Sequence, residues 1–132
     1  VAHAFDIAKK MDCKIAIASS SPISLIKAEV ERLGLSAIDS IYSGEDEKNG
    51  KPAPDVYLSA ARHLSVDPSR CIALEDSKSG VQSAKSAGMK CIAVVDPRYS
   101  KSEDVAGADV VLHSLEEMTE EMIKKLFGGN TF

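Results

Sequence analysis

Glu75 and Asp76 stand side by side at the end of the apolar run Cys71-Ile72-Ala73-Leu74. Adjacent carboxylates repel, and burial at a strand end raises the cost. A hard divalent cation relieves that conflict, and Mg²⁺ is commonly held by one or two carboxylates with waters and a substrate phosphate. The plainer alternative has one carboxylate capping the next helix while the other faces water.

Two further segments carry matching chemistry. Ser19 and Ser20 follow the apolar run Lys14-Ile15-Ala16-Ile17-Ala18 and precede Ser21-Pro22. Their hydroxyls, with the free N–H groups of a helix start, suit a phosphate; equally, the serines could serve only to cap that helix. Lys51 lies in Asn49-Gly50-Lys51-Pro52-Ala53-Pro54-Asp55. Pro52 holds it extended and Gly50 permits close backbone approach. A cation fixed there could neutralise a phosphoryl group as charge builds on it, whereas an ordinary loop lysine is simply solvated.

The elements that must position these residues alternate along the chain. Val1, Ala4, Phe5, Ala8 and Met11 share one helical face, and a strand over Lys14–Ala18 follows. Ser21 is the expected N-cap of a helix carrying Ile23, Ile26, Val30 and Leu33, which Gly34 ends. A strand over Ser40–Ser43, a polar loop from Gly44 to Lys51 in which Glu45-Asp46-Glu47-Lys48 is expected to be solvated, and a helix burying Tyr57, Ala60, Ala61 and Leu64 come next. Asp67-Pro68 turns the chain into strand Cys71–Glu75. Ser77 caps a helix whose inner face, Val81, Ala84 and Gly88, is small. Then come strand Lys90–Val95, a turn at Asp96-Pro97, a short acidic helix near Ser102, and strand Asp109–Leu112. The capping-box pattern Ser114-Leu115-Glu116-Glu117 opens a last helix, with Leu115, Met118, Met122 and Leu126 inside and Gly128 at its end. This alternation predicts an α/β fold, a Rossmann-like parallel sheet of about four to five strands with helices on both faces, as one domain over 1–132.

Composition narrows the function classes. A chain of 132 residues, 44% hydrophobic and 27% charged, can bury a core without metal or disulfide staples. No apolar run approaches the roughly 20 residues of a membrane span. A net charge of −4 argues against a nucleic-acid surface. Cys13, Cys71 and Cys91 are odd in number and widely spaced, which reads as buried thiols in a reducing compartment, the cytoplasm. His3, His63 and His113 have no metal-ligand spacing. With no initiator Met before Val1, a fragment or processed chain is expected.

Three motifs in order carry a resemblance: Ile17-Ala18-Ser19-Ser20-Ser21, Gly50-Lys51-Pro52-Ala53-Pro54-Asp55-Val56-Tyr57, and Ala73-Leu74-Glu75-Asp76-Ser77-Lys78-Ser79-Gly80-Val81. Together they resemble the haloacid dehalogenase (HAD) superfamily, in its β-phosphoglucomutase and sugar-phosphate phosphatase branch. The resemblance implies that Ser19 and Ser20 bind a phosphoryl group, that Lys51 neutralises it and contacts the nucleophile, and that Glu75 and Asp76 hold Mg²⁺. Asp76 is then the more direct ligand, with Ser77 capping the helix behind it. The implied function is a Mg²⁺-dependent phosphatase or phosphomutase acting on a small phosphorylated metabolite such as a sugar phosphate.

The chain departs from that pattern in one respect. The nucleophile of the family is the first Asp of an Asp-x-Asp motif, and no Asp-x-Asp occurs in these 132 residues. Asp6, Asp12 and Asp96 lie in unsuitable contexts. The helical cap domain of the family has no counterpart either. The resemblance thus implies a C-terminal core portion, inactive alone. In the family the nucleophile strand lies between the strand ending at Ser19 and the one ending at Glu75. Without it those strands either pair directly or leave a gap for another segment or a second copy, since unpaired edges invite pairing. The alternative function is a non-catalytic protein binding phosphate or a partner. A receiver-type signalling domain fits less well, because the order here is Ser, Lys, then Glu-Asp.

Overall fold

The computed structural model describes residues 2–35, 38–96, 98 and 105–128. Helices and strands alternate as α1 (Ala2–Lys10), β1 (Ala16–Ser19), α2 (Ile23–Arg32), β2 (Ser40–Ser43), α3 (Asp55–Leu64), β3 (Ile72–Glu75), α4 (Lys78–Ser86), β4 (Lys90–Val94), β5 (Val110–Leu112) and α5 (Glu120–Leu126). Every strand pair is parallel, in agreement with the expected α/β class. The strands do not form one sheet. β1 pairs with β2, placing Ser19 opposite Ser43. β3, β4 and β5 form a second sheet in that order, with Glu75 opposite Ala93. β1 and β3 are not hydrogen-bonded to each other, so direct pairing of the two flanking strands is excluded.

Residue alternation on the strands sorts the helices into two layers. Ala73, Cys91, Ala93 and Val95 pack with Val56, Tyr57 and Ala61 of α3 and Val81 and Ala84 of α4. Ile92 and Leu112, joined by Ile72, face the other way onto Ala4 and Ile7 of α1 and Ile123 of α5. β4 is covered on both sides, and its Cys91-Ile92-Ala93 is wholly buried. That placement explains why β4 reads as an unbroken apolar run. Truncating Ile92 to alanine there would cost about 2–5 kcal/mol.

Helix α3 spans both sheets and fixes their relative direction. Near its start, Val56 and the carbonyl of Ser19 both lie against Gly44, where Val56 Cγ2 is 3.0 Å and Ser19 O 3.6 Å from the position of an added Cβ. At its other end, the carbonyl of Leu64 accepts a 2.7 Å hydrogen bond from Lys14, just before β1. Tyr57, in the first turn, hydrogen-bonds Glu75 at the end of β3. α3 is thus antiparallel to β1 and to β3, so these two strands run the same way and end on the same side. Between them lies a cleft of about 580 Å³. β1 and β3 form two walls, α3 a third, and α1 with the region of α5 the fourth.

Several local expectations are corrected. Ser21 does not cap α2: Pro22 is the N-cap residue and gives no side-chain hydrogen bond. The Ser21 N–H instead goes to Ser19 Oγ at 3.1 Å. Ser114 caps only a 3₁₀ turn, Leu115–Glu117, and Thr119 caps α5 by accepting from the Met122 N–H. Glu117 meets the backbone N–H of His113 rather than closing a capping box. Gly88 is exposed and takes φ +86° beyond the end of α4, leaving Ala87 to fill the buried position. Of the three free thiols only Cys91 is fully buried; Cys13 and Cys71 are half-buried. Ser77 caps α4 as expected, accepting from Gly80 N–H at 3.1 Å. Pro97 and the acidic stretch near Ser102 lie outside the described residues.

Candidate active site

Polar residues gather where β1 and β3 end. Ser19 closes β1 half-buried, its Oγ accepting from Ser21 N–H, and Ser20 beside it is exposed. Across the β1–β2 pair, Ser43 Oγ donates to the Ser21 carbonyl at 2.6 Å and so pins the loop carrying both serines.

Lys51 is not a free loop cation. Its Nζ lies 2.6 Å from Glu75 Oε2, with the two side chains only 19% and 7% exposed. The Tyr57 hydroxyl donates to the same Glu75 oxygen, and the ammonium lies 5.1 Å from the centre of the Tyr57 ring. Burial, then the nearby charge of Glu75, holds the Tyr57 hydroxyl far above its ordinary pKa, so it stays a donor. The Lys51 segment is tied down from below as well. Buried Ser83 of α4 donates to the Ala53 carbonyl at 2.6 Å, and Ala53 N–H closes a turn onto Gly50. The Lys51–Pro52 peptide is cis.

Glu75 is packed as well as bonded. Gly80, one turn into α4, faces its carboxylate so closely that any Cβ at position 80 would collide with it. The neighbouring Asp76 differs in every respect: it is exposed and makes no hydrogen bond or ion pair with the described residues. The adjacent carboxylates therefore split. Glu75 Oε2 is committed to Lys51 and Tyr57, while Asp76 remains open. Among the described residues no group of three or more His, Cys, Asp or Glu converges, so the protein's own donor set here is this pair. A pair of carboxylates still matches what Mg²⁺ takes from a protein when phosphate and water complete its shell.

Three participants escaped sequence reading. Tyr57 reads as a core residue of α3, and Ser83 is absent from the inner face read for α4. Both act through contacts 18 and 30 residues away. Glu47 was expected to be solvated, yet it accepts hydrogen bonds from Tyr42 and from Ser59, the latter at 2.6 Å. The Ser59 bond, then that of Tyr42, lowers its pKa. His63, its ring tilted 41° to that of Tyr42 with centroids 4.9 Å apart, and His3 and His113 are not among the residues gathered at this site.

Two parallel sheets flanked by helices, with polar residues collected where β1 and β3 end, define an α/β protein with a strand-end site. The chain matches the haloacid dehalogenase-like hydrolase family over residues 1–94, and it belongs to that family, in a phosphoglucomutase-like branch. It is 36% identical over 120 residues to hexitol phosphatase B of Escherichia coli, covering 90% of this chain and 54% of that protein. CbbY from Rhodobacter sphaeroides, solved in complex with xylulose-(1,5)bisphosphate, superposes with a TM-score of 0.79 at 35% identity, over 88% of this chain and 53% of that one. A putative β-phosphoglucomutase from Thermotoga maritima gives 0.82 at 34% identity, over 95% and 58%. The chain thus spans about half the length of these relatives. Among its described residues, no helix is long and apolar enough to cross a membrane.

Proposed function

We propose that these 132 residues form the phosphoryl-handling half of a Mg²⁺-dependent phosphatase or phosphomutase whose substrate is a small phosphorylated metabolite, a sugar phosphate in the first instance. The observation that carries this reading is the buried Lys51–Glu75 pair at the strand end, with Ser19 and Asp76, which has no partner among the described residues, on the same side of the sheets. The likeness to hexitol phosphatase B and to CbbY, solved in complex with xylulose-(1,5)bisphosphate, supports the substrate class.

In this reading the hydroxyls of Ser19 and Ser20 hydrogen-bond phosphoryl oxygens. Lys51, held by Glu75 and Tyr57, offers a fixed positive charge that needs no reorganisation as the transferring group gains charge. Asp76 is the direct ligand for Mg²⁺, with Glu75 beside it; the ion, when bound, offsets charge on the phosphoryl oxygens. Ser77 fixes the start of α4 behind them. The covalent step of such chemistry needs a carboxylate nucleophile. Asp6 lies within α1, Asp12 in the turn after it, and Asp96 is bound to Arg98, so none of them serves. That carboxylate enters from outside these residues, on a strand at the cleft between β1 and β3. The three free cysteines suit the cytoplasm, and the net charge of −4 suits a small anionic metabolite bound locally by Lys51 rather than a nucleic acid.

The chain alone is expected to show no Mg²⁺-dependent turnover of p-nitrophenyl phosphate. Turnover that Asp76→Ala abolishes would overturn the half-site reading. The lack of an Asp-x-Asp pair favours a second reading, a non-catalytic phosphate-binding protein. It separates from the first if no added segment ever restores turnover while phosphate still binds.

A further inference from the structure

We propose that Glu47 is a positioning residue: bound to Tyr42 and Ser59, it holds the loop that delivers Lys51 to the strand-end site. The inference deepens the phosphoryl reading and rests on it for the role of Lys51.

The loop is fixed where it leaves β2. Ser43 Oγ, which donates to the Ser21 carbonyl at 2.6 Å, accepts from the Glu45 N–H at 3.2 Å. A 3₁₀ turn over Gly44–Asp46 follows, and the Glu47 N–H closes it on the Gly44 carbonyl at 3.1 Å. The Glu47 carboxylate then accepts from the Tyr42 hydroxyl of β2 and, at 2.6 Å, from the Ser59 hydroxyl of α3. Residues 48–50 are exposed, and Lys51 comes next. Beyond it, Ala53 is held by Ser83 at 2.6 Å and by the Gly50 carbonyl at 3.0 Å. The lysine thus lies on a short exposed span between two anchors, of which Glu47 is the first.

The chemistry of that anchor explains why a carboxylate serves. Ser59 is only 8% exposed, so its hydroxyl needs partners inside the protein. It donates to Glu47 and accepts from Arg62 at 3.2 Å. Hydrogen bonds to an ionised acceptor are about twice as strong as neutral ones. Residues two apart on a helix point to different faces. Accordingly, Tyr57 of α3 meets Glu75 of β3, while Ser59 meets Glu47 beside β2. One rigid helix therefore restrains Lys51 twice, through its ion-pair partner and through its loop.

The test compares the 132-residue chain with Glu47→Ala and Glu47→Gln by ¹⁵N relaxation. Amide order parameters at Lys51 and Ala53 report the loop, and those of β4 report the rest of the fold. Glu47→Ala is expected to lower the loop values from about 0.85 to below about 0.6 while β4 stays near about 0.85. Glu47→Gln keeps an acceptor oxygen at the same reach and should fall between. Unchanged loop values, even beside a lower urea midpoint, overturn the proposal, because a role confined to stability leaves them alone. If Glu47→Ala does not fold, Tyr42→Phe removes one donor and is read in the same way.

A second arm titrates the proteins with inorganic phosphate by ³¹P NMR. Glu47→Ala should weaken binding about threefold or more, and add nothing once Lys51→Ala is present. An equal loss in both backgrounds, or no loss at all in a chain that binds phosphate, overturns positioning through Lys51. A parent chain that binds no phosphate counts against the phosphoryl reading alone, and the order parameters still decide whether Glu47 holds the loop.

Discussion

Lys51 and Tyr57 share a single oxygen, Oε2 of Glu75, which the lysine ammonium approaches to 2.6 Å. Two donors on one buried carboxylate oxygen make Glu75 the anchor of the cation as much as a candidate metal ligand. Removing one partner of a buried pair strands the other, at about 3–5 kcal/mol. Lys51→Met is therefore expected to lower unfolding stability by that order. Lys51→Met with Glu75→Gln should cost less than the two single changes added together. Urea unfolding of the four proteins measures the coupling; additive losses would mean that the two side chains do not depend on each other. Tyr57→Phe, which removes one hydrogen bond to a charged group, should cost about 1.5–3 kcal/mol.

Gly80 is required by contact and not by backbone conformation. Gly80→Ala pushes a methyl group into the Glu75 carboxylate, and overpacking of this kind costs about 1–3 kcal/mol. Gly50→Ala, where an added Cβ meets nothing within 4 Å, should change stability little. Thermal unfolding of the two variants checks the contrast, and equal shifts would contradict it.

Asp109 supplies a pH dependence. Burial alone would raise its pKa, but the Lys85 hydrogen bond at 2.8 Å, the Cys91 N–H and the charges of Lys85 and Lys90 outweigh it and hold the value below the ordinary 3.8. A carboxylate whose pKa is depressed by folding adds stability above its unfolded value and loses it as pH falls through the folded one. Asp109→Asn should thus be less stable than the parent at pH 7, with the difference shrinking as pH falls below about 4. Unfolding midpoints measured across that range show the convergence or its absence.

Much of this architecture was legible in the sequence because burial on both faces leaves a direct trace. β4 reads as an apolar run since helices cover it twice, and Gly34 and Gly128 mark helix ends through φ of +64° and +79°. Capping was less legible: Ser114 and Thr119 compete from five positions apart, and only the fold decides that Thr119 opens α5. Ser19, Lys51, Glu75 and Asp76 could be picked out as strand-end residues, and the structure brings Lys51 and Glu75 into contact. The division of labour between Glu75 and Asp76 could not be read, because it depends on Tyr57 reaching across from α3 and on Gly80 pressing from α4.

Cys91 offers a check on the core. Burial, then the charge of Glu75, pushes its thiol up to about 12, and it lies in the buried middle of β4. Alkylation at pH 8 should modify Cys13 and Cys71 in the native protein and reach Cys91 only on unfolding. Comparable labelling of all three in the folded state would contradict the packing described for β4.

The most direct measurement for the half-site is a ³¹P NMR titration of the chain with a sugar phosphate in the presence of Mg²⁺. The expected result is a saturable shift of the phosphate resonance, reduced at least tenfold in affinity by Lys51→Ala and by Asp76→Ala, with the ester left intact. No shift, a shift indifferent to both substitutions, or release of inorganic phosphate that Asp76→Ala abolishes would contradict it.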